Sequence, residues 1–237
     1  MSTESPAAIS APPLRLLALE LRAWAELGAS PLRLPRLRAE LPPGDGHAVL
    51  VVPGFGAGDL ATQPLRALLR DLGYSAYGWN LGINLGMRAN IKQALNERLV
   101  KLHARHDGPV SLIGWSLGGV FVREMARHKP ELVRRVFTLG SPINERPDAN
   151  NMMLMFRLMN AGKPVNLDLD GFRRRITPPP VPCTGIYTRS DGIVAWQCCL
   201  EPASDHTDNV EVSGSHMGMP FNPQVARAIA ERLARRV

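Results

Sequence analysis

The stretch VSLIGWSLGG, residues 110–119, gives the strongest indication of the fold. An apolar run leads into G-x-S-x-G and a segment with helical spacing follows, so the pattern predicts a strand, a sharp turn and a helix. Such a turn holds its serine in a strained backbone conformation with the hydroxyl exposed, and its glycines avoid collisions with the neighbouring strand and helix. The stretch therefore predicts that Ser116 is a nucleophile, although a single match to so short a pattern also fits an ordinary turn.

Two residues farther along the chain supply what a nucleophilic serine needs. The serine needs a base to take its proton, and the base needs a carboxylate that holds its tautomer. Asp191 follows the apolar run at 183–187, and His216 follows the short strand pattern at 209–212. Both are therefore predicted at the ends of strands. A rival cluster around His206 is disfavoured because it precedes the final strand.

A glycine-rich loop is predicted to expose backbone hydrogen-bond donors before the nucleophile. The sequence PGFGAG at 53–58 follows the apolar run at 48–52, which is typical of a fully buried strand. The amides of Phe55 and Leu117 are the predicted oxyanion hole, in which two donors stabilise developing negative charge. Nucleotide binding is disfavoured, since the loop lacks the G-x-G-x-x-G spacing and no Gly-Lys-Ser/Thr follows.

In these motifs and their order, the chain resembles the lipases and esterases of the α/β-hydrolase superfamily over about residues 47–237. The resemblance implies Ser116 as nucleophile, Asp191 as acid and His216 as base, with the two loop amides as oxyanion hole. It further implies a carboxylic ester hydrolase that forms an acyl-enzyme and needs neither a metal nor an organic cofactor. An acyltransferase and, less favoured, a catalytically silent binding protein are the alternatives. One departure is Pro53, where many relatives carry histidine; this leaves the placement of the first amide open.

Strand and helix patterns alternate along most of the chain. The alternation predicts the α/β class, with a mostly parallel central sheet and helices on both faces. Residues 47–237 are predicted to form one catalytic domain, and residues 1–46 an N-terminal tail and an amphipathic helix. The predicted strands cover 48–52, 75–80, 110–113, 133–139, 183–187 and 209–212, and the predicted helices of the domain cover 63–72, 88–105, 117–129 and 222–236.

The N-terminal helix is predicted from apolar residues at helical spacing, namely Leu14, Leu17, Leu21 and Trp24. We expect it to end at Gly28, with residues 31–43 linking it to the first strand. Packing on the domain is favoured over attachment to a membrane surface. The reason is that the acidic residues of the helix offset its basic ones, so a basic polar face is not pronounced.

The interval 142–182 is too long for an ordinary connection, and it is predicted to be an inserted cap or lid with helices of its own. Its methionines suit an apolar substrate pocket because methionine adapts to irregular partners, although they could equally cover the sheet. The predicted pocket residues are Trp115, Met152, Met155, Phe156, Met159 and Met217.

Length and composition fit one globular enzyme. The 237 residues are 45% hydrophobic and 21% charged, with a formal net charge of +7. Nucleic-acid binding is disfavoured because no recognised binding motif appears, so the excess charge is interpreted as a solvated basic face, with weak membrane-surface association as the alternative. Three cysteines without metal-ligand spacing and the lack of a convincing signal peptide predict a cytoplasmic protein. The expected partner is a small or lipid-like ester substrate, while the oligomeric state is left open.

Overall fold

The computed structural model describes residues 9–143 and 176–235. In this part of the chain, six parallel strands form one sheet in the order β2-β1-β3-β4-β5-β6. The strands are β1 Ala48–Val52, β2 Ser75–Gly78, β3 Val110–Trp115, β4 Val133–Leu139, β5 Cys183–Tyr187 and β6 Thr207–Glu211. The helices are α1 Leu14–Leu19, α2 Ala23–Arg38, α3 Gln63–Asp71, α4 Ala89–His106, α5 Leu117–His128 and α6 Pro223–Leu233. The predicted α/β class with a parallel sheet is confirmed.

Helices cover both faces of the sheet, which explains why β1 is apolar throughout. Alternate residues of a strand point to opposite faces. In β1, Val49 and Val51 pack in one core with side chains of α2, α3 and α6. Leu50 and Val52 pack in a second core with side chains of α4 and α5. A strand buried on both faces needs apolar residues at every position, and β1 is buried along its whole length.

The strand order creates a crevice at the carboxyl edge of the sheet. From β1 the chain crosses to β2 on one side, and it later returns to β3 on the other side. The connections that leave β1 and β3 therefore run in opposite directions, and ligands of open α/β sheets bind at such a switch point. The glycine-rich loop follows β1 and Ser116 follows β3. The topology thus places the two predicted parts of the site side by side.

The N-terminal helix extends beyond the predicted end, so the expectation that Gly28 terminates it was wrong. After α1 and a 3₁₀ turn at Glu20–Arg22, α2 continues to Arg38 with Pro31 inside it. Proline cannot donate to the carbonyl of Leu27, which is a reason for helices to break. Here the hydroxyl of Ser30 donates to that carbonyl instead, at 2.8 Å. The last turns of α2 also bury leucines in the core, and this burial stabilises the helix beyond Pro31.

The same segment packs on the domain, as expected, and between Glu20 and Glu26 it does so through polar side chains. Glu20 is only 8% exposed, whereas Leu14, Leu21 and Trp24 are 72–75% exposed. The apolar stripe that predicted the helix therefore faces outward along much of its length. None of the helices in the described ranges combines the length and the apolar character needed to cross a membrane.

Candidate active site

Ser116 sits on a strained turn between β3 and α5. Its φ of 52° and ψ of −120° lie in a region that residues with a Cβ rarely adopt, at a cost of about 1–3 kcal/mol. Its N–H donates to the carbonyl of Leu139 at 2.8 Å, and its own carbonyl accepts from Gly119 at 3.0 Å. A Cβ at Gly118 would lie 2.4 Å from the carbonyl oxygen of Val52, so only glycine fits there. The surroundings thus hold the serine in this conformation.

Asp191 and His216 form a buried pair at the same edge of the sheet. Nδ1 of His216 lies 2.7 Å from Oδ2 of Asp191, and both residues are almost completely buried. The other carboxylate oxygen of Asp191 accepts the N–H groups of Ile193 and Val194, each at 2.8 Å. These bonds fix the carboxylate, and the carboxylate in turn fixes the tautomer of the imidazole, with its proton on Nδ1.

The charges around His216 increase the affinity of its ring for a proton. Burial of the ring opposes protonation, but the charge of Asp191, its hydrogen bond and the charge of Glu20 outweigh this effect. The pKa of His216 is therefore raised above the ordinary value of 6.5. A ring in this setting can accept a proton and hold it within a buried site, as a general base must.

Contacts of Trp115 and Gly140 place the His216 ring relative to the nucleophile turn. A Cβ at Gly140, which follows β4, would lie 2.8 Å from Nδ1 of His216, so the ring lies over the end of β4. The indole Nε1 of Trp115 donates to the carbonyl of His216 at 3.1 Å, and the two rings lie 6.1 Å apart. Because β4 runs between β3 and β5, the ring lies between the strand ends that lead to Ser116 and Asp191.

The glycine-rich loop is held against Ser116 by a residue that sequence reasoning missed. The side chain of the fully buried Asn84 donates to the carbonyl of Pro53 at 2.8 Å. Its backbone exchanges bonds of 2.8 Å with Gly56 and Ala57. A Cβ at Gly54 would lie 3.2 Å from Cβ of Ser116, which shows how closely the loop approaches. Asn84 lies in a segment without regular periodicity. Its position between Gly82 and Gly86 is the one sequence feature that could have indicated a structural role.

Both predicted oxyanion residues adjoin the nucleophile turn. Leu117 is the first residue of α5, and the N–H of the first residue of a helix has no partner within that helix. Phe55 is buried in the loop that packs on the turn. The amides of Leu117 and Phe55 are therefore still the candidates for the oxyanion hole.

An apolar cleft of about 720 Å³ reaches Trp115 and Met217, which precede Ser116 and follow His216 in the chain. Two of the predicted pocket residues, Trp115 and Met217, line it. Met152, Met155, Phe156 and Met159, like most of the insertion at 142–182, lie outside the described residues. One wall comes instead from the N-terminal helical segment, which sequence reasoning did not connect with the pocket. The other lining residues include Leu17, Leu21, Trp24, Leu27, Leu60, Ala61, Pro64 and Phe221.

Two other histidine clusters do not resemble an active site. His206 is exposed and lies 3.4 Å from the hydroxyl of Ser204. His47 contacts Asp45 and lies 2.8 Å from the hydroxyl of Ser111. This second Ser-His-Asp set lies toward the opposite edge of the sheet, and Ser111 is fully buried within β3, out of reach of a substrate. Over residues 9–143 and 176–235, no group of three or more His, Cys, Asp or Glu side chains is arranged to hold a metal ion.

Similarity to solved structures shows the fold. Similar structures include the monoacylglycerol lipase of Paleococcus ferrophilus, a lipase-esterase related protein of Clostridium acetobutylicum ATCC 824 and a thioesterase domain from the curacin biosynthetic pathway. Their sequence identities are 17%, 14% and 15%, and their TM-scores are 0.56, 0.59 and 0.54. The alignments cover 81%, 80% and 82% of this chain and 95%, 96% and 93% of those chains. No protein-family model and no curated protein matches the sequence. The chain thus has the α/β-hydrolase fold, as the resemblance predicted.

Proposed function

We propose that this protein is a serine hydrolase that cleaves carboxylic esters through an acyl-enzyme. The observation that carries the proposal is the buried Asp191–His216 pair at the same sheet edge as the strained Ser116 turn. A strained serine and a carboxylate-bound imidazole are the two parts that nucleophilic catalysis by serine requires. The names of the similar structures, a lipase, a lipase-esterase related protein and a thioesterase domain, agree with chemistry at an acyl carbonyl.

The reaction would proceed in two halves. Nε2 of His216 takes the proton of the Ser116 hydroxyl while the hydroxyl oxygen bonds to the ester carbonyl carbon. The carbonyl oxygen becomes an oxyanion, which the amides of Phe55 and Leu117 stabilise. The imidazolium then returns the proton to the departing alcohol as the C–O bond breaks. In the second half, His216 takes a proton from water, the hydroxide adds to the acyl-enzyme, and the proton goes back to Ser116 as the carboxylic acid leaves.

A fluorophosphonate probe tests the proposal directly, because it reacts with a serine only when a neighbouring base has activated it. We expect the folded protein to be labelled on the peptide that contains Ser116, as identified by mass spectrometry. The Ser116→Ala variant should take no label, while Ser111→Ala, which alters a buried serine 2.8 Å from Nε2 of His47, should be labelled like the wild type. Absence of label in the folded wild type, or label on another residue only, would exclude the proposed nucleophile.

The apolar cleft supports an ester with an apolar acyl or alcohol group, and Trp24 in its N-terminal wall gives a test. Trp24→Ala removes apolar surface that a long chain would bury, a change of about 1–2 kcal/mol. We therefore expect kcat/KM for p-nitrophenyl decanoate to fall about fivefold to 30-fold, with little change for p-nitrophenyl acetate.

Leu32→Ala is the matched control for Trp24→Ala, since Leu32 is an exposed apolar residue of α2 that does not line the cleft. This variant should treat both esters like the wild type. Equal losses on acetate and decanoate in Trp24→Ala would show that the cleft does not hold the chain.

A further inference from the structure

One buried carboxylate of the N-terminal segment connects the loops that carry Asp191 and His216. Oε1 of Glu20 accepts the N–H of Gly192 at 2.9 Å and the N–H of His216 at 3.1 Å. Oε2 accepts the N–H of Met217 at 2.9 Å. Gly192 directly follows Asp191, so a single side chain holds the backbone beside the acid and the backbone of the base.

The environment of Glu20 is not that of an ordinary surface glutamate. Burying a carboxylate is costly unless hydrogen bonds compensate, and here three backbone N–H groups do so. The contact is also close, because a Cβ at Gly192 would lie 2.3 Å from the carbonyl oxygen of Leu16. The acid loop is therefore seated directly on the N-terminal segment.

Two neighbouring charged residues reinforce the same connection. Arg22 donates to the carbonyls of Ser190 and Gly214 at 3.1 and 2.6 Å. Oε1 of Glu26 accepts the N–H of Ser215 at 3.1 Å, and it lies 3.6 Å from Nε of Arg22. Within the described residues, Asp191, Glu20, Arg22 and Glu26 all contact the loop at 213–217, and the first two contact His216 itself.

We propose that Glu20 is a positioning residue of the active site, which fixes the Asp191 loop relative to His216 and keeps a negative charge beside the imidazole. The part of the N-terminal segment around Glu20 then supports the catalytic residues. This inference rests on the proposed esterase function for its effect on turnover. The geometric part, a carboxylate bound to both loops, is independent of it.

The charge of Glu20 has a pH-dependent consequence. Glu20 is one of the groups that raise the pKa of His216, beside the stronger contribution of Asp191 and against the opposing effect of burial. A general base must be neutral, so activity rises as pH increases through this pKa. Removing the negative charge should lower the pKa of His216, and the acid limb of kcat/KM should therefore move to lower pH.

Glu20→Gln separates this role from a merely structural one. Glutamine can still accept at one oxygen from Gly192 and His216, but it lacks the charge and sets an NH₂ group against the N–H of Met217. We expect kcat for p-nitrophenyl acetate to fall about tenfold with KM little changed, and the acid limb to shift to lower pH. Glu20→Ala should lose about 100-fold. Glu40→Gln, which removes an exposed carboxylate just after α2, should match the wild type.

Titration of the His216 ring by NMR supplies a readout that needs no turnover. Its midpoint should be lower in Glu20→Gln than in the wild type and in Glu40→Gln, with thermal unfolding used to confirm that each variant is folded. A folded Glu20→Gln with the wild-type midpoint and the wild-type kcat would overturn the proposal. If the wild type neither takes the fluorophosphonate probe nor cleaves an ester, the proposed function fails, and the titration still decides whether Glu20 acts on His216.

Discussion

Ser116→Ala is expected to lower kcat for an activated ester on the order of 10⁶-fold while leaving the fold intact. The loss is this large because the hydroxyl oxygen forms the covalent bond in the proposed mechanism, and the other groups of the site act only through it. Alanine retains the Cβ at the same φ of 52°, so the strained turn between β3 and α5 can keep its shape. Steady-state kinetics with p-nitrophenyl acetate measure the effect.

Ser111→Ala is the control for this prediction. Ser111 lies within hydrogen-bond distance of a histidine, but that histidine is His47, and the serine is buried inside β3. The folded Ser111→Ala variant should have a kcat within a few-fold of the wild-type value. If Ser116→Ala retained a tenth of the wild-type kcat, Ser116 would not be the nucleophile.

Asp191→Asn should reduce kcat by about 10⁴-fold, the size of effect expected when the catalytic histidine has the wrong tautomer. Two backbone N–H groups, from Ile193 and Val194, donate to Oδ1 of Asp191. The amide oxygen of asparagine would take that position, because an NH₂ group there would face two donors. The NH₂ group would then point at Nδ1 of His216 and require it to accept. The ring proton would move to Nε2, and the base could no longer take a proton from Ser116.

The control for Asp191→Asn is Asp45→Asn, which alters the carboxylate that contacts His47 in the second Ser-His-Asp set. That substitution changes a similar pair of residues away from the candidate active site, so kcat should stay close to the wild-type value. A fall of less than tenfold in folded Asp191→Asn would show that Asp191 does not set the tautomer of a catalytic base.

Much of the fold follows from local sequence patterns. Strands that are buried on both faces are rich in apolar residues, and β1, β4 and β5 have the predicted bounds. Ser116, Asp191 and His216 could be proposed from sequence because each follows a strand pattern, and the carboxyl ends of parallel strands meet at one edge. The observed Asp191–His216 contact agrees with that reasoning, whereas the roles in catalysis stay predictions.

The features of the fold and the site that the sequence did not predict depend on contacts between distant segments. Glu20 lies within an amphipathic pattern, in which an acidic residue is expected to face solvent. No residue near it in the chain indicates that its partners lie in the loops at 192 and 216. The continuation of α2 past Pro31 likewise depends on the Ser30 hydroxyl and on leucines that pack in a distant core. Asn84 is a third such case. Periodicity reports which face of an element is apolar, but not which polar groups meet across the fold.

The contact between Glu20 and His216 also sets the order of events during biosynthesis, because 196 residues separate the two. At about 5–20 residues per second, the ribosome makes His216 roughly 10 to 40 s after Glu20. For most of that interval none of the three backbone partners of the carboxylate has been translated, since the first of them, Gly192, follows Glu20 by 172 residues. The bridge can therefore close only after the loop that carries His216 and Met217 has emerged from the exit tunnel.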